Sequence, residues 1–261
     1  MNGILGELSE EARRRVERAK AEVPLEQLKR RCSAIPSDGF PFEDALRKDG
    51  MSFICEVKRA SPSKGVISES FPYMDIAEDY ERAGASCISV LTEPSRFLGD
   101  LRHLSEIAGS VSVPVIRKDF VVDEYMVYEA RCAGASAVLL ICSILQEEEL
   151  KGLIGLCDSL SMSALVEAHD EEEVSKAIRC GARIVGVNNR DLRDFTVDHR
   201  NCLRLRHMVP DGVLFVAESG IRTRQDVEDL EREGVDAVLV GETLMRAEDR
   251  CAKLRELGCG R

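Results

Sequence analysis

Eight short apolar segments, each followed by a helical pattern, restrict this chain more than any other feature. The segments are 52–58 (SFICEVK), 86–92 (SCISVLT), 114–119 (PVIRKD), 137–142 (AVLLIC), 163–168 (SALVEA), 184–189 (IVGVNN), 214–219 (LFVAES) and 237–241 (AVLVG). Short apolar runs bounded by turn residues read as buried strands. Between and after them lie helical patterns at about 75–83, 100–109, 123–133, 146–157, 170–180, 198–207, 223–233 and 242–257. Strict alternation of this kind implies a parallel sheet covered by helices. Eight such units in about 210 residues fit a closed α/β barrel, the (β/α)8 or TIM barrel. A doubly wound open sheet is the alternative, and it needs a reversal of strand order that nothing in the chain marks.

A weak repeat has the same period as two of these units. AGAS at 83–86 recurs at 133–136, then as CGAR at 180–183 and EGVD at 233–236. Each copy lies between a helix and an even-numbered strand, where glycine ends a helix. Ahead of the barrel, residues 4–31 read as two helices. Leu5, Leu8, Ala12, Val16 and Ala19 fall near helical spacing, and Pro24 opens a second piece with Leu25 and Leu28 on one face. The expected product is an amphipathic cap on the core. No linker divides the 261 residues, so one domain is expected, with an N-terminal helical extension over 1–45 and the barrel over 52–257.

Composition narrows the function. A formal net charge of -11 argues against a broad nucleic-acid surface, while leaving room for a local basic pocket. Met1 to Glu7 has neither a basic head nor an apolar run, so no signal peptide is expected. The longest pure apolar run, Ala137 to Cys142, is far short of the roughly 20 residues a membrane helix needs. A cytoplasmic protein that does not engage membranes is expected. Ten cysteines are scattered without a CxxC pair, and four histidines show no ligand spacing. No disulfide framework, metal or cofactor is expected.

The polar residues gather at the strand ends, where parallel barrels carry their active sites. Glu56 and Lys58 close the first strand two residues apart, hence on one face, and a loop of Ser, Pro, Lys and Gly follows that can fold over a ligand. Arg117, Lys118 and Asp119 end the third strand and Glu167 the fifth. Asn188, Asn189 and Arg190 end the sixth, Glu218, Ser219 and Gly220 the seventh, and Gly241 the eighth. Ordinary hydrated strand ends are the alternative for any one of these, and a weaker one for six strands together.

Ser219-Gly220 precedes a helix near Thr223, and Gly241 precedes one starting at Glu242. Glycine lets backbone N–H groups approach an anion, and a helix start adds partial positive charge, so these four residues form a candidate phosphate cradle. The Glu242 side chain opposes a phosphate and is expected to point away. Lys58 and Lys118 with Glu56 and Glu167 supply two amines and two carboxylates for acid–base work on a carbonyl compound. A second cation nearby and partial desolvation are expected to lower the lysine pKa. Pairing as plain salt bridges is the other reading.

The ordered set CEVKRASPSKG, ISVLTEPSRF, PVIRKDF, YEARCAGASAVLLI, LVEAH, VGVNNRDL, AESGI and VGETLM resembles indole-3-glycerol phosphate synthase of tryptophan biosynthesis, from about Ile4 through Ala247. The resemblance implies a TIM barrel with an N-terminal extension that converts 1-(2-carboxyphenylamino)-1-deoxyribulose 5-phosphate to indole-3-glycerol phosphate, carbon dioxide and water. No cofactor or metal is implied. Lys118 resembles the family's general acid at the substrate carbonyl, and Glu167 its partner in proton transfer during dehydration. Lys58 resembles the lysine holding the anthranilate carboxylate, and Glu56 the acid that positions these groups. Asn188 and Arg190 match residues at the substrate hydroxyls and carboxylate. Ser61 belongs to the closing loop, residues 59 to 74. Ser219, Gly220 and Gly241, with Glu242 beside them, match the phosphate site. Phe97 and Phe120 are expected to line the ring pocket, with Leu139 on its floor. Leu98-Gly99-Asp100 departs from the family pattern and bears on the shape of that pocket. The resemblance leaves the oligomeric state at a monomer or weak homo-oligomer.

Two rival readings use the same residues. An aldolase would employ Lys118 as a Schiff-base nucleophile, and a non-catalytic phosphate-ligand binder would leave Lys118 and Glu167 idle.

Overall fold

The computed structural model describes residues 3–191, 195–198 and 200–260. Three helices come first: α1 (Ile4–Glu22), α2 (Leu25–Ser33) and α3 (Pro41–Leu46). Strand β1 (Ser52–Val57) then leads into a small hairpin, β2 (Ala60–Ser61) and β3 (Gly65–Val66). Next come α4 (Tyr73–Arg82), β4 (Cys87–Leu91), α5 (Leu101–Ser110), β5 (Val115–Lys118), α6 (Glu124–Cys132), β6 (Ala137–Ile141) and α7 (Glu147–Ser159). The chain continues through β7 (Ser163–Ala168), α8 (Glu171–Arg179), β8 (Ile184–Asn188), α9 (Arg200–Arg206), β9 (Leu214–Glu218), α10 (Arg224–Arg232), β10 (Ala237–Val240), α11 (Glu242–Met245) and α12 (Arg250–Leu257).

Strand β1 and strands β4 to β10 pair in parallel, and β10 returns to β1 to close the barrel. The closing register sets Ser52 against Ala237 and Cys55 against Val240. Every residue of these eight strands is buried. Side chains fill the inside and helices cover the outside, which is why the strands read as continuous apolar runs rather than alternating ones. Ile54, Ile88 and Ile116 are fully buried, each contributing roughly 1.5–3 kcal/mol of transfer free energy.

The repeat glycines behave as expected. Gly84, Gly134, Gly181 and Gly234 adopt left-handed φ values of 94°, 90°, 85° and 75°, each two residues past the last residue of a helix and next to its C-cap. That conformation strains residues with a Cβ.

Three details differ from the sequence expectation. The helix expected over 242–257 is two pieces, because Asp249 accepts the Ala252 N–H and caps α12 separately. The expected helix 198–207 is α9, with residue 199 outside the described residues. The short helix α3 was not foreseen. It carries buried Glu43, which accepts from Arg183 at 2.7 Å and from Ser163 Oγ at 3.2 Å where β7 and β8 begin, and so seals the barrel floor.

Helix α1 buries Leu8, Ala12 and Val16 at fourfold spacing. Polar clamps hold it across β5 and α6. Arg15 donates twice to Asp119, at 3.0 and 2.7 Å, and Lys20 donates to Asp123 at 2.8 Å. Tyr125 Oη donates toward the Ala19 and Val23 carbonyls, at 3.1 and 3.0 Å. Among the described residues, no helix is long and apolar enough to cross a membrane, and no cluster of His, Cys, Asp and Glu could hold a metal ion.

Candidate active site

A cavity of about 430 Å³ opens where the strands end. The residues given a role from the sequence line it: Glu56, Lys58, Ser61, Phe97, Lys118, Phe120, Leu139, Glu167, Asn188, Arg190, Ser219, Gly220, Gly241 and Glu242, whereas the strand-end residues Arg117 and Asn189 do not. Ile4, Leu5 and Leu8 of α1 line it too, so the extension is a wall of the site as well as a cap on the core.

Lys118 is the centre of the charge arrangement. Its Nζ donates to Glu218 Oε2 at 2.6 Å and to Glu167 Oε2 at 3.2 Å. Burial works against the ammonium, but the charges of Glu218, Glu167 and Glu56 outweigh it and hold the lysine above its ordinary range. This corrects the expectation of a lowered lysine pKa. The neighbours that matter are carboxylates, and Lys118 is a stable cation.

The group poised near neutrality is Glu218, 1% exposed. Burial pushes its carboxyl up to about 7, against the pull of Lys118 and with help from Glu167 and Glu56. Its Oε1 is buried with no hydrogen-bond partner among the described residues. The sequence marked Glu218 as a charged strand end but gave it no part in the chemistry. The only signal in the sequence was its place as a charged residue at the end of an apolar strand; its alignment with Asn188 at the end of β8 appears only in the structure.

Lys58 Nζ donates to Glu56 Oε1, so this pair is joined side by side as its spacing implied. Gly241 is the residue in line with Glu56. A Cβ there would meet Glu56 Oε1 at 2.3 Å and Lys58 Nζ at 3.0 Å, so this glycine makes room for the pair.

The candidate ring pocket is apolar. The Phe97 and Phe120 rings lie 6.2 Å apart at 46°, with Leu139 beneath. Buried Glu93 accepts the N–H groups of Ser95, Arg96 and Phe97, which fixes the loop presenting Phe97. The segment 98–100, expected from the sequence to bear on the shape of this pocket, does not reach it through its side chains at 98 and 100. Neither Leu98 nor Asp100 lines the cavity, and Asp100 instead caps α5 by accepting the Arg102 N–H at 2.8 Å.

At the candidate phosphate end, Ser219 and Gly220 turn through successive left-handed conformations, φ 66° and 86°. Ser219 is one of the described non-glycine residues with positive φ, a conformation that costs strain. The α10 helix start contributes less than its place suggested. Asp226 Oδ2 already accepts the Arg222 and Thr223 N–H groups, and Thr223 Oγ1 accepts the Asp226 N–H. The Glu242 carboxylate lies among cations: Arg246 at 3.2 Å, Arg190 at 3.6 Å and Lys64 at 3.9 Å. Arg190 and Arg246 line the cavity together with Glu242, so its carboxylate is engaged by basic groups at the mouth and is not turned out of the site as the sequence reading expected. Asn188 Oδ1 accepts the Arg190 N–H at 3.0 Å, while Asn189 ties the Ser219 carbonyl to the Cys202 N–H as scaffold. Ser61 sits on β2, and the hairpin with β3 is regular structure inside what the sequence offered only as a loop.

The chain matches the family model described as indole-3-glycerol phosphate synthase over residues 5–257. An indole-3-glycerol phosphate synthase of Ruminiclostridium cellulolyticum is 52% identical over 255 residues, 97% of this chain and 98% of that protein. One of Endomicrobium trichonymphae is 49% identical over 97% of this chain and 99% of its own length. Among solved structures, a 3-hexulose-6-phosphate synthase superposes with a TM-score of 0.65 at 15% identity, covering 79% of this chain and 98% of that one. A thiamine phosphate pyrophosphorylase from Pyrococcus furiosus gives 0.59 at 19% identity, covering 81% and 95%. Those two likenesses speak to the barrel alone. With the family model spanning nearly its whole length and curated relatives half identical to it, this chain belongs to the indole-3-glycerol phosphate synthase family.

Proposed function

We propose that this chain closes the indole ring in tryptophan biosynthesis, converting 1-(2-carboxyphenylamino)-1-deoxyribulose 5-phosphate to indole-3-glycerol phosphate, carbon dioxide and water. The observation that carries the residue assignment is the Lys118 ammonium held between the Glu167 and Glu218 carboxylates at the floor of the cavity. Ring closure joins an aromatic carbon to the ketone carbon, and the ketone oxygen gains negative charge as the bond forms. A cation already desolvated and aimed lowers that barrier. Lys118 then supplies the proton that makes the oxygen a hydroxyl. Loss of carbon dioxide returns its bonding electrons to the ring system. The hydroxyl finally leaves as water, taking a proton from an acid, while a base removes the proton from the adjoining carbon. Glu167 is the base in this reading, and Glu218, with a carboxyl near 7, recharges Lys118. The ring nitrogen pushes the electrons throughout, so the reading calls for no metal or cofactor.

The remaining assignments are those the family resemblance implies, on residues that line the cavity. The aryl ring lies between Phe97, Phe120 and Leu139, with Leu5 and Leu8 as its outer wall. Lys58, fixed by Glu56, takes the anthranilate carboxylate. Asn188 and Arg190 take the hydroxyls and the carboxylate edge. The phosphate lies at Ser219, Gly220, Gly241 and the backbone of Glu242. The hairpin carrying Ser61 closes the mouth and excludes water. Further parts of the reading are one domain over 1–261, a cytoplasmic location, a monomer or weak homo-oligomer, and no nucleic-acid partner.

A fluorescence assay of indole-3-glycerol phosphate formation, run with chelator present, tests the proposal. Turnover is expected. Binding of the substrate without turnover would leave only a phosphosugar binder, and neither binding nor turnover would remove the substrate assignment.

A further inference from the structure

We propose that Gly186 is a positioning residue for this reaction: its missing side chain leaves the space in which the Glu218 carboxylate turns onto Lys118. The inference deepens the reading above and rests on its assignment of Lys118 and Glu218.

Gly186 lies in the middle of β8, between fully buried Val185 and Val187. Its register partners are Glu167 on β7 and Val216 on β9. It therefore shares a level of the sheet with one carboxylate that reaches Lys118, and the other comes down over it from the next strand. A Cβ built at 186 would lie 2.3 Å from Glu218 Oε1, 3.4 Å from its carboxyl carbon and 3.1 Å from Leu165 Cδ1. The first distance is impossible, so Glu218 would have to move.

Conformation does not require glycine here. Gly186 is absent from the left-handed glycines, so alanine can adopt its backbone. Glycine within a strand costs stability through its entropy and its missing contacts, and its neighbours in β8 are β-branched. Something other than the backbone calls for it, and the close approach of the Glu218 carboxylate is the contact that a side chain would destroy. The oxygen above Gly186 is the Glu218 Oε1 that has no hydrogen-bond partner among the described residues. The carboxylate thus keeps its place through Oε2 on Lys118, 2.6 Å away, and through the room beneath Oε1. With that room filled, the carboxylate rotates off the ammonium and Lys118 is left to Glu167. Because the obstacle is the movable end of a side chain, the loss falls on proton transfer more than on folding.

The test is a cycle of four proteins: wild type, G186A, E218A and G186A/E218A, each measured for kcat, KM and the pH dependence of kcat. G186A is expected to lower kcat by roughly 10- to 10²-fold, the scale of a misplaced catalytic contact, with KM changed less than about threefold and the pH profile shifted. Adding G186A to E218A is expected to change kcat by less than about twofold, because no carboxylate remains to be displaced. Wild-type kcat in G186A, or the same fold-loss with and without Glu218, would overturn the inference while leaving the Glu218 assignment intact. E218A turning over like wild type would instead remove that assignment, and this inference with it. If G186A fails to fold, the double variant must fold. Failure of both would place the clash elsewhere and overturn the proposal.

Discussion

Lys118 and Asp119 are consecutive on the end of β5, yet the ion clusters they enter are opposites. Asp119 accepts two hydrogen bonds from Arg15, one each from Thr92 and Arg117, and one from the Phe120 N–H. Burial disfavours its charge, but Arg15, Arg117 and Thr92 prevail and hold the carboxyl at about 2. Across the barrel wall, one ammonium serves two carboxylates, and Glu218, just as deeply buried, sits at about 7 with an oxygen unpartnered among the described residues. Both clusters are desolvated, and only the supply of partners differs. Where donors outnumber the carboxylate's needs, burial makes a permanent joint between α1 and the barrel. Where acceptors outnumber cations, burial leaves a proton free to move near neutral pH.

That contrast is open to direct attack. Asp119→Ala strips the joint and leaves Arg15 without its carboxylate, while Arg117 keeps its ion pair with Glu129 at 2.7 Å. A loss of about 3–5 kcal/mol is expected from denaturant unfolding, the usual scale for one partner removed from a buried pair. A loss below about 1 kcal/mol would mean that α1 docks on its apolar face and that the ion cluster is incidental. Lys118→Ala is expected to reverse the balance of effects. Turnover should fall by roughly 10² or more, with substrate binding still measurable and the denaturation midpoint moved less than in Asp119→Ala, because the Glu218 carboxyl, already raised to about 7, can take up a proton and shed the charge Lys118 no longer balances. If Lys118→Ala unfolds as readily as Asp119→Ala, the two clusters are not different in kind.

The pH dependence of stability separates them with opposite signs. The folded Glu218 carboxyl is raised from 4.5 to about 7, so the folded protein holds this proton more tightly than the unfolded chain does. That contribution is complete below the unfolded value and is lost as pH rises from about 4.5 to 7. Asp119 is lowered from 3.8 to about 2, so its contribution is complete above the unfolded value and is lost as pH falls from about 3.8 to 2. Glu218→Gln should flatten the melting temperature between pH 5 and pH 7 and leave the acid limb alone. Asp119→Asn should do the reverse. The same window shifted by both variants would show the two clusters titrating as one.

The barrel was legible because each strand is a bounded apolar run and each even-numbered strand follows a glycine helix stop. The members of the site were legible for a related reason. A parallel barrel sends all its strand ends to one mouth, so a polar residue there needs no partner to be recognised in the sequence. Partnerships were not legible. Nothing in EVKR or RKDF says that Lys118 reaches Glu218 and Glu167 rather than Lys58, and the sign of its pKa shift turns on that. The same lack hid the wall made by Ile4, Leu5 and Leu8, since amphipathic spacing shows that α1 has an apolar face without showing what it covers. The hairpin β2–β3 escaped because two-residue strands carry no period.

The smallest effect concerns the segment 98–100 beside the ring pocket. If the site depends on partner supply rather than on every nearby residue, a charged side chain close in sequence to Phe97 but bound elsewhere should be dispensable for turnover. Asp100 is such a residue. It caps α5 through the Arg102 N–H, does not line the cavity, and is separated from Phe97 by Leu98, at φ 53°, and by Gly99, packed against the Leu91 carbonyl. Asp100→Ala is expected to cost about 1 kcal/mol of stability, as a lost helix cap does, and to leave kcat and KM within about twofold. A larger fall in kcat with stability retained would mean that the α5 start does shape the ring pocket. Phe97 would then depend on both Glu93 and Asp100 for its place, and the boundary drawn between scaffold and site would have to move outward by one helix turn.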